Sequence, residues 1–165
     1  MTLEVKTFSE IPNVPAVYAL CGRATLHRGT YIAYVGHTDH LRTRINDHLI
    51  ARKTTIITGL SAVGLNPENV MEVLWWEHPS FSKRTIREAA ELVAFEVLNP
   101  ALRSLAPELK RARQAYDDRS FRDEMTSLLS GEPTGRFAVP SLRGALERIE
   151  ELERRLSALE EQPRE

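Results

Sequence analysis

The spacing of hydrophobic positions changes repeatedly along the chain. Residues 14–20 and 31–36 are short apolar runs rich in β-branched and aromatic side chains, which predicts two paired strands. Residues 22–29 between them, with Arg23 and Arg28, read as the connecting hairpin loop. From Leu41 the period lengthens. Leu41, Ile45 and Leu49 recur every fourth residue, and Thr38 or Asp39 can cap the helix they imply. Residues 70–78 return to alternation, with Met71, Val73 and Trp75 against Glu72, Leu74 and Trp76. This predicts a third strand, and its tryptophans are expected in the core rather than as platforms for bases. A second helix is predicted from Ser82 to Leu98, with the apolar stripe Ile86, Ala89, Ala90, Val93 and Val97. Lys83, Arg84, Arg87 and Glu88 fall on its charged face, and Pro100 sets its end because proline cannot continue a helix. Residues 53–64 fit either a loop or a short helix, and Asn66, Pro67 and Asn69 mark a turn.

The last third has a different character. Residues 106–129 read as a charged helical extension that packs back through Leu109, Ala112, Tyr116 and Phe121. Residues 130–140 carry turn formers and are expected to be a linker. Residues 141–161 predict an amphipathic or coiled-coil helix. Leu142, Ile149 and Leu156 occupy heptad position a, and Ala145, Leu152 and Leu159 occupy d. Arg148 and Arg155 then fall at g, and Glu153 and Glu160 at e, so a parallel homodimer through this helix would pair them between chains. A solvated helix docked on its own domain is the competing expectation.

The expected architecture is therefore α+β. A small three-stranded antiparallel sheet flanked by helices occupies residues 1–105, followed by the helical extension, the linker and the C-terminal helix. Composition narrows the class only a little. The 165 residues are 42% hydrophobic and 27% charged, as in an ordinary soluble protein. No run of apolar residues is long enough to span a membrane, and residues 1–10 lack the blocks of a signal peptide. The single cysteine, Cys21, excludes an intramolecular disulfide and is expected to be a buried, inert thiol. A cytoplasmic location is the expectation that follows. The net charge of −1 conceals an asymmetry. Residues 1–115 hold 14 Lys and Arg against 11 Asp and Glu, whereas residues 116–165 hold 8 against 12. The acidic excess belongs to the tail, and the first part can still present a basic face to phosphates.

The candidate chemistry lies within the first hundred residues. Tyr18 and Tyr34 stand on the two leading strands. Arg44 and His48 are four apart on the first helix, so they stack on one face. Glu91 lies at the edge of the apolar stripe of the second, where a carboxylate is costly unless paired or bound to a metal. A salt bridge to Arg44 or another base is the plain alternative. His37 is expected at the surface, with a phosphate contact as its alternative, and His40 has no assigned role.

This set resembles the GIY-YIG endonuclease superfamily. The first tyrosine motif stands here as Ala16-Val17-Tyr18, and the second as Tyr34-Val35-Gly36. Arg44, His48 and Glu91 follow in the family's order, and the helix of Glu91 ends at Asn99-Pro100. The resemblance covers about residues 11–103. It departs at Ala16, where the family name has glycine, and at Arg103, near which relatives often carry an asparagine. The resemblance implies a metal-dependent endonuclease that hydrolyses DNA phosphodiester bonds, with Tyr18, Tyr34, Arg44, His48 and Glu91 as catalytic residues. It implies Mg²⁺ or Mn²⁺ bound by Glu91, and double-stranded DNA as the partner. Either Tyr18 or His48 could be the general base. The alternative is a non-catalytic nucleic-acid-binding or scaffold protein on the same fold, with the C-terminal helix as its docking element.

Overall fold

The computed structural model describes residues 8–23, 30–49, 70–102, 109–140 and 142–160. The expected loop or helix at 53–64, the turn at 66–69 and Arg103 lie outside them. Four strands form one antiparallel sheet: β1 (Ala16–Arg23), β2 (Thr30–Thr38), β3 (Val70–Trp76) and β4 (Gly135–Ala138), in the spatial order β2-β1-β3-β4. The helices are α1 (Leu41–Leu49), α2 (Arg84–Leu98), α3 (Leu109–Asp117), α4 (Arg119–Ser130) and α5 (Leu142–Glu160). No helix among the described residues is long and apolar enough to cross a membrane.

The expected count of three strands is corrected to four. The stretch 130–140, expected as a linker, contains β4, which pairs with β3 from Glu72↔Ala138 to Trp75↔Gly135. Pairing gives the outer backbone edge of β3 its hydrogen-bonding partners. Phe137 enters the core at 2% exposure, and Gly135 lets the chain cross Trp75 closely. A Cβ at residue 135 would lie 2.0 Å from the indole ring. The tryptophans are buried, as expected of sheet-packing residues. The expected helical extension is divided by Asp118, whose carboxylate accepts from the Ser120 amide and caps α4.

The sheet separates two cores. One face carries Tyr18, Leu20, Tyr34, Val73, Trp75 and Phe137 and packs on Leu41 and Ile45 of α1. The other carries Val17, Ala19, Val35 and Trp76 and packs on α2 and α4, including Val93, Phe95, Met125 and Leu129. Strand periodicity produces this division, since successive side chains point to opposite faces. Helix α1 is tied to the segment before β1: the Leu41 amide donates to the Val14 carbonyl at 3.1 Å, and Arg42 Nε to the Ile11 carbonyl at 2.6 Å. Helix α2 ends at Leu98, where Asn99 adopts the left-handed conformation (φ 43°) before Pro100. The chain then returns alongside β2, with Ala101 and Leu102 amides donating to the Ile32 and Ala33 carbonyls, each at 2.9 Å. Both helices that carry candidate site residues are thereby fixed to β1 and β2.

Burial of Phe137 makes β4 a structural strand. Phe137→Ala should lower the unfolding free energy by about 3–5 kcal/mol in a urea titration. A change under about 0.5 kcal/mol would mean that β4 does not complete the core.

Candidate functional site

The site begins with strand register. Tyr18 of β1 lies directly opposite Gly36 of β2, and Leu20 lies opposite Tyr34. Because residue 36 has no side chain, the Tyr18 ring lies across β2. A Cβ at Gly36 would stand 2.6 Å from the Tyr18 hydroxyl and 3.0 Å from the Tyr34 ring. The two phenols face α1 with ring centroids 6.1 Å apart. His48 completes the cluster, 6.0 Å from the Tyr18 ring and 5.7 Å from that of Tyr34.

Tyr18 is fully buried and its hydroxyl lies 2.8 Å from His48 Nε2. Burial pushes the Tyr18 pKa well above 10, reinforced by the neighbouring Tyr34 and by the charge of Glu91 and opposed by Arg44. Tyr34 is raised for the same leading reason, desolvation, together with Glu91. Both are neutral phenols at pH 7. His48 moves the other way. Burial, then the positive charge of Arg44, lowers its pKa from 6.5 to about 4, so the ring is a neutral imidazole at physiological pH. Arg44 lies close enough to both phenols that their influence raises its pKa despite the opposing effect of burial. The direction of the Tyr18–His48 bond is set by the histidine tautomer.

Four buried side-chain nitrogens lack a hydrogen-bond partner among the described residues: Arg44 Nε, Arg87 Nε, His48 Nδ1 and Trp76 Nε1. Both arginines line an open cleft of about 330 Å³ together with Arg84, His37, His40, Thr43 and the carboxylates Asp39 and Asp47. Three guanidiniums against two carboxylates leave the cleft a modest cationic excess.

Glu91 occupies a different position from the other four residues. Its side chain projects from α2, which packs on the opposite face of the sheet. Glu91 is 4% exposed, and Oε2 lies 2.8 Å from His37 Nδ1. The sheet alternation explains this contact, since His37 points away from the face used by Tyr34 and Gly36. Tyr18, Tyr34, Arg44 and His48 form one contact cluster. Glu91 joins it through β2 and by its charge, which raises both tyrosines. The expected alternative for Glu91 is a bridge to Arg44 or another base, and the base it meets is His37. His37, expected at the surface, is partly buried, with 18% side-chain exposure, and lines the cleft. His40 is exposed on the rim of the cleft.

The expected charged face of α2 needs the same correction. Arg87 and Glu88 are 5% and 7% exposed. Arg87 Nη1 donates to the Phe81 and Ser82 carbonyls, and Glu88 accepts from Arg84 Nε at 2.7 Å. The one sequence signal for this arrangement was Pro79, which starts the short turn of 3₁₀ helix (Pro79–Ser82) that presents those carbonyls. Cys21 is a free buried thiol whose pKa is pushed up to about 12, mainly by burial, so it is inert as expected.

Among the described residues no group of three or more His, Cys, Asp or Glu side chains is placed to hold a metal ion. Glu91 and His37 provide at most two protein donors. That is compatible with a hard divalent cation held by one carboxylate, water and substrate phosphate oxygens. No protein-family model, curated protein or solved structure gives a significant match to the chain.

The His48 environment has a direct spectroscopic consequence. Its imidazole should titrate in NMR with a midpoint near 4 rather than 6.5. The folded pKa is depressed, so below pH 6.5 the unfolded chain binds the extra proton more readily. The corresponding stability is present above pH 6.5 and is lost as the pH falls towards 4. A His48 midpoint near 6.5 would mean that the ring is not enclosed beside Arg44.

Proposed function

We propose that the chain is a metal-dependent endonuclease of the GIY-YIG type that hydrolyses DNA phosphodiester bonds. The observation that carries this reading is the buried Tyr18–His48 hydrogen bond beside Arg44, a cation with a spare buried donor on an arginine-lined cleft. A buried structural tyrosine needs a hydrogen-bond partner for its hydroxyl but no permanent cation beside it. Phosphodiester hydrolysis needs a permanent cation for charge growing on the phosphate and a route for the proton of the attacking water.

In this reading the scissile phosphate lies against Arg44. Its fork geometry fits phosphate oxygens, and its charge does not vary with pH. Tyr18 cannot be a standing base, because burial holds it as a phenol. It acts as a relay. As the water oxygen bonds to phosphorus, the water proton passes to the Tyr18 oxygen and the Tyr18 proton passes to His48 Nε2. The bond from phosphorus to the leaving oxygen breaks in the same displacement. His48 is thus the terminal base, in the tautomer whose Nε2 carries no proton. Tyr34 positions the phosphate or the water next to this chain. Glu91, oriented by the hydrogen bond from His37, would hold Mg²⁺ or Mn²⁺. When bound, such an ion offsets negative charge on the phosphate and on the leaving oxygen.

The Arg84 and Arg87 side of the cleft then serves the phosphates flanking the scissile one. Those contacts track the backbone rather than the bases, so binding should weaken steeply with salt.

Single-turnover cleavage of a labelled DNA duplex tests these roles. Arg44→Ala should raise the barrier by about 3 kcal/mol, or about 100-fold in rate. Tyr18→Phe keeps the ring but removes the relay and should cost about 10²–10⁴-fold. An Arg44→Ala variant with near-normal turnover would sink the assigned role of that residue. In the wild-type protein kcat/KM reports the free enzyme, so the acid limb should follow the His48 midpoint of about 4. A fall in rate centred on 6.5 would remove His48 from the proton path.

A further inference from the structure

Helix α5 is 19 residues long, and its apolar side is uncovered. Leu146, Ile149, Leu152 and Leu156 are 52%, 51%, 49% and 58% exposed. They are the exposed large hydrophobic residues of the described chain apart from Tyr31. At 3.6 residues per turn the four fall within about a third of the helix circumference, so they form one stripe rather than scattered positions. A contiguous apolar stripe on an otherwise charged helix marks an interaction surface.

The charges beside the stripe identify what covers it. With Ile149 and Leu156 at a and Leu152 at d, both flanking g positions are arginine (148 and 155) and the e positions one heptad on are glutamate (153 and 160). In a parallel, in-register pair, g of one chain meets e of the other five residues on. Position 148 then meets 153, and 155 meets 160, and the two-fold axis repeats both pairs. In an antiparallel pair g meets g and e meets e, which would set arginine against arginine and glutamate against glutamate. The same sequence is thus complementary to itself in one orientation and repulsive in the other. In the central layer the β-branched Ile149 at a with Leu152 at d favours two strands over three, while positions 142 and 156 at a are leucine.

We infer that α5 pairs with α5 of a second copy of this chain as a parallel two-stranded coiled coil. The inference does not depend on the function proposed above. Three heptads and few apolar layers make the association concentration-dependent. The parallel arrangement places the N-terminal ends of both helices, and the two β4 strands that precede them, at the same end of the coil.

Sedimentation velocity of the full chain over a wide concentration range tests the pairing. Wild type should move from monomer to dimer. Arg148→Glu with Arg155→Glu should weaken the dimer about tenfold or more, and so should Glu153→Arg with Glu160→Arg. An equimolar mixture of the two double variants should restore it. Orientation is read with Leu156→Cys, which on oxidation should form a covalent dimer through residue 156 of both copies. Circular dichroism of each variant separates lost pairing from lost folding. A wild-type chain that stays monomeric throughout would overturn the inference, as would charge variants that dimerise like wild type. A dimer in which Leu156→Cys cannot be oxidised to a covalent pair would overturn the parallel orientation.

Discussion

The Tyr18 hydroxyl is held inside the protein by one hydrogen bond, to His48 Nε2. The remaining features of the site conform to that bond. Gly36 must lack a side chain because the phenol occupies the space a Cβ would need. The β1–β2 register must set Tyr18 opposite residue 36, and α1 must run so that Arg44 and His48 meet the phenol from the same face. Two backbone-directed bonds, from Leu41 and Arg42 to the segment before β1, hold α1 in that position. Burial keeps both partners of the bond neutral. The same low-polarity surroundings raise the tyrosine and lower the histidine, so neither group is ionised at rest and moving the Tyr18 proton to His48 is uphill in the resting site.

The sheet keeps two sets of functional groups apart and lets them communicate across one strand. On the α1 face lie the uncharged Tyr18 and His48 beside Arg44. On the α2 face lies the carboxylate, restrained by His37. Strand alternation puts His37 and Gly36 on opposite faces although they are neighbours in sequence. In the proposed reaction this separation has a purpose. A carboxylate in direct contact with Arg44 would neutralise the charge needed by phosphate, whereas Glu91 bonded to an imidazole leaves Arg44 Nε uncommitted.

Much of this organisation was legible in the residues. The β1 and β2 runs, the four-residue spacing in α1 and the Asn99-Pro100 stop on α2 all express local chemistry, and each element lies close to where its pattern placed it. What escaped depends on tertiary surroundings. Residues 135–138 are too few, and too close to glycine and proline, to signal a strand. They become β4 only because β3 offers an unpaired edge and a pocket for Phe137. Arg87 and Glu88 looked solvated because helical periodicity counts charge and not partners. The carbonyls of Phe81 and Ser82 and the side chain of Arg84 supply those partners. The partner of His37 is not legible in the sequence, because its contact with Glu91 joins positions 54 apart in the chain.

The central claim is that these groups cut DNA with the help of a metal ion at Glu91. Supercoiled plasmid incubated with wild type and with Glu91→Gln, each in Mg²⁺, Mn²⁺ or EDTA, tests it most directly. Nicking or linearisation by wild type in metal, abolished by EDTA and in Glu91→Gln, is the expected result. Folded wild-type protein that binds the plasmid in a salt-sensitive manner and leaves it supercoiled under every condition would contradict the claim and favour a binding role for the cleft.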